Sequence, residues 1–561
     1  MRSRSVEGEQ LMIGSAERRR LSVDPDLGAG NFLQRIRSLG RPLDTPVLWF
    51  EPEFRLPGGR VRSALTLGEL CEVVDTYAGW YHGREVRPRD PVVVYCDSAI
   101  ELIVHYLALT GLGAIPVLVN GELPAELARA YTAPLGAVGV FTDEAHRSIL
   151  TGGETARFAA TSADVTPTDR DRLPGHYPFR HDAADPVVIT HSSGTTGLPK
   201  AVLHNHQSLF HATRYRLSLP VPQAGERILS ALPGAHNSAL SVLMFALLND
   251  LPVKILSSQR AGVALRAVEE FRPTGVCAFS VTYAEIAAAA DLDRYDLSSV
   301  SVWYNSGDAA HESHIKVILG LGQHVEVAAD GTRTIVPGSS FLDGLGSSEM
   351  GHSLFYLLHR PGEAAPSRCV GRPYAFVEAA VLDDNGDPLP PMSIGRLGVK
   401  SPTITPGYWN DSLTTYRSRL RGYWLTGDLA YRDHGGHFYH VDRVTDAVRT
   451  RHGTLHTVQA EELVLRQLPE VADCTVVGVD LPGREPQVYA LLQLVPEAGQ
   501  AAEEMDWTKR VNEVLREHHL PAVATALPIT ENDLAVGPTG KVKKRELRER
   551  YRDLAERGEQ W

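Results

Sequence analysis

Residues 190–202 read THSSGTTGLPKAV. Four hydroxyl side chains, Ser192, Ser193, Thr195 and Thr196, surround Gly194 and Gly197, and Lys200 follows. Glycines let backbone N–H groups approach a phosphate closely, hydroxyls add donors, and a lysine adds a mobile positive charge. The pattern predicts a cradle for nucleotide phosphates. It is not the common NTPase loop, which needs GxxxxGK[ST]; Pro199 stands where the second glycine belongs.

Three later segments carry further chemistry. Asp343–Gly351 reads DGLGSSEMG, a glycine-rich turn that can lie against a flat purine. There Ser348 can contact an α-phosphate, and Glu349 suits Mg²⁺, a hard cation that prefers oxygen ligands shared with phosphates. Tyr423–Arg443 places Asp428 in a TGD triplet and ends on Arg443. A carboxylate accepts from both hydroxyls of a ribose, and an arginine binds ribose or phosphate. Gly537–Leu547 reads GPTGKVKKREL and offers Lys541. A lysine held near a phosphate can stabilise negative charge that builds up on its oxygens. Lys543, Lys544 and Arg545 read as solvated or as a general electrostatic contribution.

The elements that must position these residues are an alternation of strands and helices. Val92–Tyr95, Ile115–Val119, Gly136–Asp143 and Pro186–Ser193 read as strands, with a helix over Ser98–Leu112. Such alternation predicts layered, largely parallel sheets. After Tyr374 the texture becomes β-rich, with Asn385-Gly386 as a hairpin turn. Beyond Val441 helical and strand patterns alternate again. The Arg-rich residues 1–30 read as a loose extension.

Bulk properties narrow the function. A net charge of −12 with no basic tract argues against nucleic acid as a partner. Five cysteines stand far apart, so neither a disulfide framework nor a structural zinc site is expected. The start lacks an apolar core, and the apolar run Leu102–Val119 is broken by His105, Gly111, Gly113 and Pro116. A cytoplasmic protein without a membrane span is expected.

Taken in order, the motifs resemble those of the acyl- and aryl-CoA ligase, adenylation-domain and luciferase superfamily: [ST]SG[ST]TGxPKG, GYGxTE, TGD…GR and TxxGKxxR. The resemblance covers roughly residues 45–550. It implies an α/β fold: a large N-terminal domain (31–441) of layered, mostly parallel sheets with a β-rich subdomain, a hinge at 442–446, and a small mobile α+β C-terminal domain (447–561). It implies that Ser192, Ser193, Gly194, Thr195, Thr196, Gly197 and Lys200 hold ATP phosphates, and that Thr196 and Glu349 hold Mg²⁺. Asp343, Gly344 and Leu345 would surround adenine, with Leu345 replacing the usual stacking tyrosine. Asp428 and Arg443 would bind ribose, and Lys541, Glu349, Ser348 and His236 would act in catalysis. The acid pocket would draw on His236, Asn237, Tyr283, Tyr304, Asn305, Ser306 and Gly346.

Departures cluster where substrate and acceptor are chosen. Ala235 replaces an aromatic residue, and Asp308 replaces a small one. Asp308 is placed to bind either the adenine amino group or an amino or hydroxyl group of the substrate; with DGxGSxE it resembles the benzoate-CoA and acetate-CoA ligase branches. The hinge carries Asp442, Thr445, Arg449 and His452 where the pattern has Gly, Asp, Lys and Gly, with Gly453 one residue later. The leading expectation is activation of a small, aromatic acid as acyl-AMP and transfer to CoA. The alternatives are another acceptor (a carrier-protein thiol or an amine), nitrite as the activated oxyanion in the manner of diazotases acting on aryl amines, or a non-catalytic nucleotide binder. A homodimer is compatible with the sequence.

Overall fold

Strands Pro91–Cys96 and Ile115–Asn120 are apolar along nearly their whole length because both faces of their sheet are covered. They pair in parallel and are joined by the helix Ala99–Gly111, so the long apolar run divides into a buried helix and a strand. The computed structural model describes residues 14–147, 156–192, 198–220, 225–307, 310–327, 331–363, 366, 368–495, 505–530, 533–534 and 542–557. Gly139–Thr142 and Pro186–His191 extend the same sheet in parallel. The chain then turns back, and Ala201–Asn205 runs antiparallel to Pro186–His191. The phosphate-loop motif is thus a hairpin tip rather than a strand-to-helix turn. Ser192 N–H donates to the Lys200 carbonyl at 3.1 Å, and Lys200 N–H donates to Ser192 Oγ at 3.2 Å, closing its base.

A second, larger sheet has two halves. Pro46–Arg55, Val253–Leu256, Ile228–Ser230, Gly275–Ala278, Val302–Asn305 and Ser340–Asp343 form a parallel half. From Phe355–His359 through Cys369–Pro373, Phe438–Arg443, Tyr423–Arg432, Gly395–Lys400 and Glu378–Leu382 every pairing is antiparallel. The motif at 343–351 falls where the sheet changes character, outside the carboxyl ends of the parallel strands, where α/β sheets hold ligands. Asn385-Gly386 does lie in a tight turn, closed by Asp383 N–H to Asp387 O at 3.0 Å, but the partner strand begins only at Gly395.

Residues 15–30 are not a loose extension. A helix, Ser15–Val23, buries Leu21, and Leu27 and Ala29 are fully buried. Arg18 donates to the carbonyls of Arg216 and Pro220 at 2.9 and 3.0 Å, adding a side-chain cap where the helix His211–Leu217 ends. Gly28 and Gly30 admit the rings of His206 and His181, which a Cβ would meet at 2.4 and 2.5 Å. The Arg-rich composition conceals one arginine that caps a helix inside the protein.

Past Val448 the chain builds its own apolar cores. Val471–Val479 pairs antiparallel with Gln487–Leu494, which pairs in parallel with Thr525–Ile529, against the helices Thr457–Gln467, Trp507–Glu517 and Lys544–Arg557. Among the described residues no helix is long and apolar enough to cross a membrane.

Candidate active site

The carboxyl ends of the parallel strands open into a cleft of about 340 Å³. His236 sits at its wall as the N-cap of the helix Asn237–Leu248. Its Nδ1 accepts from Ser238 N–H at 3.2 Å and lies 2.7 Å from Ser238 Oγ. Because Nδ1 accepts, the ring hydrogen belongs on Nε2, which faces Ser348 Oγ at 3.3 Å. Ser348 donates in turn to the His191 carbonyl at 3.4 Å, and Phe279 meets the imidazole edge-on at 5.1 Å. The helix cap, the serine and the phenylalanine therefore fix one imidazole orientation. Asn237 follows as the first helical residue and also lines the cleft.

Opposite, Glu349 Oε1 accepts from Tyr408 O–H at 2.9 Å, and Lys200 Nζ lies 5.0 Å over the same tyrosine ring. Burial pushes the phenol well up, and the nearby Glu349 carboxylate adds to this, so Tyr408 remains a donor. Among the described residues only one carboxylate oxygen of Glu349 has a partner, which leaves the other for a cation. The donor set of a carboxylate facing a phosphate lysine fits Mg²⁺ shared with phosphates. Thr196, its expected companion, lies outside the described residues, as do Ser193, Gly194, Thr195 and Gly197 of the loop, Asp308 and Lys541. Ser192 and Lys200 line the cleft as expected.

Asp428 differs from expectation. It is 2% exposed, and its Oδ1 already faces His440 Nε2 and Arg443 Nε, each at 3.2 Å. Burial raises its pKa, but Arg443 and His440 outweigh that and hold it below the usual carboxylate range. Trp424 to Gly427, the last at φ +85°, and Arg443 are the parts of this hairpin that line the cleft, while Asp428 is not among them.

A second cavity of about 360 Å³ runs beside the first and shares Ser238, Ser306, His352 and Ser353 with it. Tyr304, Asn305, Asp343 and Gly344 line it. Asn305 Nδ2 donates to Asp343 Oδ1 at 2.6 Å, and Gly344 N–H donates to the same oxygen at 3.0 Å. Burial dominates here and pushes the Asp343 carboxyl up to about 6. Gly346 has no room for a side chain: a Cβ would stand 2.7 Å from Ser353 Cα and 2.8 Å from the His352 carbonyl.

Tyr283, expected in the acid pocket, and Leu345, expected beside adenine, pack into the core. Tyr283 is fully buried against Trp303 and Phe341, and its hydroxyl donates to the carbonyls of Val276 and Tyr304. Leu345 packs with Val202, Met350 and Phe355, so it supports the turn from behind. Alternation along an extended segment puts neighbours on opposite faces, which a motif match does not resolve. Sequence reasoning missed Tyr408, which follows a Pro-Gly pair with no chemical flag, and Arg216, which lines the second cavity from an ordinary amphipathic helix.

The C-terminal region is tied in by charge. Asp442 caps the helix Thr457–Gln467, accepting from Thr457 N–H at 2.5 Å and Thr457 Oγ at 3.1 Å. Lys544 does not point freely into solvent: it is half-buried and donates to Glu461 at 2.7 Å and Thr457 Oγ at 2.9 Å. His311 of the large domain pairs with Glu462 at 2.6 Å; despite burial, that bond raises the imidazole pKa and lowers the carboxyl pKa. The left-handed backbone at the turn after Thr450 falls on Gly453, φ +123°, beside the exposed His452.

Residues 41–409 match the family model described as AMP-binding enzyme. A 3-aminoavenalumate diazotase from Streptomyces sp is 51% identical, covering 96% of this chain and 99% of that protein. The anthranilate–CoA ligase of Pseudomonas aeruginosa is 28% identical, covering 83% and 88% respectively. Among solved structures, the anthranilate CoA ligase AuaEII in complex with anthranoyl-AMP aligns with a TM-score of 0.78 at 19% identity, covering 97% of this chain and 100% of that one. A hairpin phosphate loop, a serine–glutamate turn at the sheet's change of character and a match over most of the large domain agree: the chain belongs to the AMP-binding enzyme family and is an adenylate-forming, AMP-forming ligase.

Proposed function

We propose that this ligase activates nitrite and passes it to the amine of an aromatic amino acid-like substrate, producing a diazonium group. The observation that carries the reading is 51% identity, over nearly the full length of both chains, to a protein named as a diazotase. It is supported by a cavity large enough for an aryl substrate lying beside the cleft, so that an amine and an adenylate can meet at Ser306 and Ser353.

In this reading an oxygen of nitrite attacks the α-phosphorus of ATP, and pyrophosphate leaves. The aryl amine nitrogen then attacks the nitrosyl nitrogen, and AMP leaves with the nitrite oxygen. Proton transfer from nitrogen to the remaining oxygen releases water and leaves the diazonium. Lys200 and residues 192–197 hold the β- and γ-phosphates. Mg²⁺, held by Thr196 and Glu349, would neutralise charge on the phosphates. Lys541 closes on the α-phosphate and stabilises the charge that develops there. Ser348 and the Nε2–H of His236 orient the attacked phosphate. Asp428 reaches ribose only after Arg443 turns away from it.

The second reading, transfer of an aryl acid to CoA, is favoured by the anthranilate–CoA ligase relative. The two separate in one assay. Purified enzyme with ATP and Mg²⁺ is given 3-aminocinnamate with nitrite, or 3-aminocinnamate with CoA. Azo-dye formation with a naphthol trap only in the nitrite arm is the expected result. A CoA thioester, with no dye, overturns the nitrite reading and leaves the adenylate-forming assignment intact.

A further inference from the structure

The second cavity follows the parallel strands from their carboxyl ends toward their amino ends. At the cleft side it is lined by Asn305 and Ser306, and at the other by Thr274, Gly275, Ser301 and Val302. From Ser306 back to Val302 at the usual rise is roughly 13 Å, the length of a substituted aryl group with an unsaturated chain. Its lining is mainly apolar, as ligand cavities are.

Into this space projects the guanidinium of Arg216, whose carbon lies 5.8 Å from the centre of the Phe245 ring. It lines the cavity together with Cys277, Tyr304 and His352. Among the described residues no carboxylate lies within ion-pair distance of it. The other charged groups facing the cavity are Glu226, Arg18 and Asp343. Glu226 acts on Arg18, and Arg18 spends two nitrogens on the carbonyls of Arg216 and Pro220. Asp343 is held by Asn305 and Gly344 at the cleft side. The Nε of Arg18 is buried without a partner, a second unanswered donor on the same wall. A half-buried guanidinium that lines a mainly apolar cavity and has no carboxylate partner among the described residues is a place for an anionic group.

We propose that Arg216 binds the carboxylate of an amino-aryl acid, so that the substrate lies with its acid group away from the nucleotide and its amine toward Ser306 and Ser353. The inference rests on the nitrite reading for what the amine does next, but the binding itself does not depend on it. The polarity is opposite to that of an acid–CoA ligase, where the carboxylate must meet the α-phosphate. An amino acid of this class is therefore read as an amine, and its carboxylate serves as a handle.

The test is calorimetric affinity, without nitrite, for 3-aminocinnamate and for its neutral isostere 3-aminocinnamamide. In the Arg216→Met variant the acid should bind roughly 10- to 100-fold more weakly, the range expected for losing a charge-assisted hydrogen-bonded pair, while the amide binds as it does to the parent. Arg216→Lys should recover part of the acid's affinity. Equal loss for acid and amide, or no loss for either, overturns the proposal, and the amide guards against a misfolded variant. Nitrite-dependent pyrophosphate release by the parent enzyme is measured alongside. If that fails while the acid-selective loss holds, the nitrite reading falls and the role of Arg216 stands.

Discussion

The cleft and the cavity beside it differ in how they are built. The cleft is lined by side chains that bond one another: His236 to Ser238 and Ser348, Tyr408 to Glu349, Arg443 to Asp428. His236, Ser348, Tyr408 and Glu349 are oriented before any ligand arrives, which is what electrostatic stabilisation of a transition state requires. The cavity is apolar with one unanswered cation, Arg216. It offers a charged contact on a mainly apolar wall, which selects a substrate without performing chemistry on it. Shared walls at Ser306, His352 and Ser353 couple the two.

The largest expected effect separates them. Lys541→Ala should slow pyrophosphate release by roughly 10²-fold or more, measured with saturating ATP, while ATP and aryl acid affinities stay at parental values. Unchanged release would remove Lys541 from the chemistry. Next comes Asp343, on the border. Its carboxyl is pushed up to about 6 from 3.8, so the folded protein holds a proton that the unfolded chain gives up earlier. The stability this contributes is full below about pH 4 and is lost as pH rises through about 6. Asp343→Asn keeps an acceptor for Asn305 and Gly344 without the charge. Urea unfolding at pH 8 should show a gain of about 1–3 kcal/mol that vanishes near pH 4; a loss at pH 8 would mean that the charge itself is needed.

Gly346→Ala forces the His352–Ser353 backbone to move and should cost about 1–3 kcal/mol by denaturant titration. Because that wall is common to both spaces, KM for ATP and for the amine should rise together; a change in only one would show the spaces to be independent. Tyr408→Phe is the mildest. Losing one hydrogen bond to Glu349 should cost about 1 kcal/mol, read as a several-fold rise in the Mg²⁺ concentration needed for half-maximal rate, with amine affinity untouched.

The same contrast governs what the sequence makes legible. Cleft residues sit in contiguous motifs, because a phosphate cradle is built from consecutive backbone groups: 190–202 and 343–351 are readable as written. Tyr408 is the exception, brought to Glu349 by a two-residue edge strand pairing with Ala201–Asn205. The strands at 91–96 and 115–120 are legible because burial on both faces leaves unbroken apolar runs. The cavity is not legible. Arg216, Phe245, Tyr304 and His352 come from four separate places in the chain, and only the parallel sheet brings them together. Tyr283 and Leu345 show the converse, since motif position names the residue without saying which face it takes. The segment 15–30 read as loose because its arginines suggest solvent, while the contacts that bury Arg18 lie some 200 positions away.

The most direct measurement follows an oxygen atom. Enzyme is turned over with ¹⁸O-labelled nitrite, ATP, Mg²⁺ and 3-aminocinnamate, and the AMP formed is weighed by mass spectrometry. If nitrite is the group adenylated, each AMP carries one labelled oxygen from nitrite. AMP without label, or label delivered instead from an ¹⁸O-carboxylate substrate, would contradict nitrite activation and return the carboxylate to the α-phosphate.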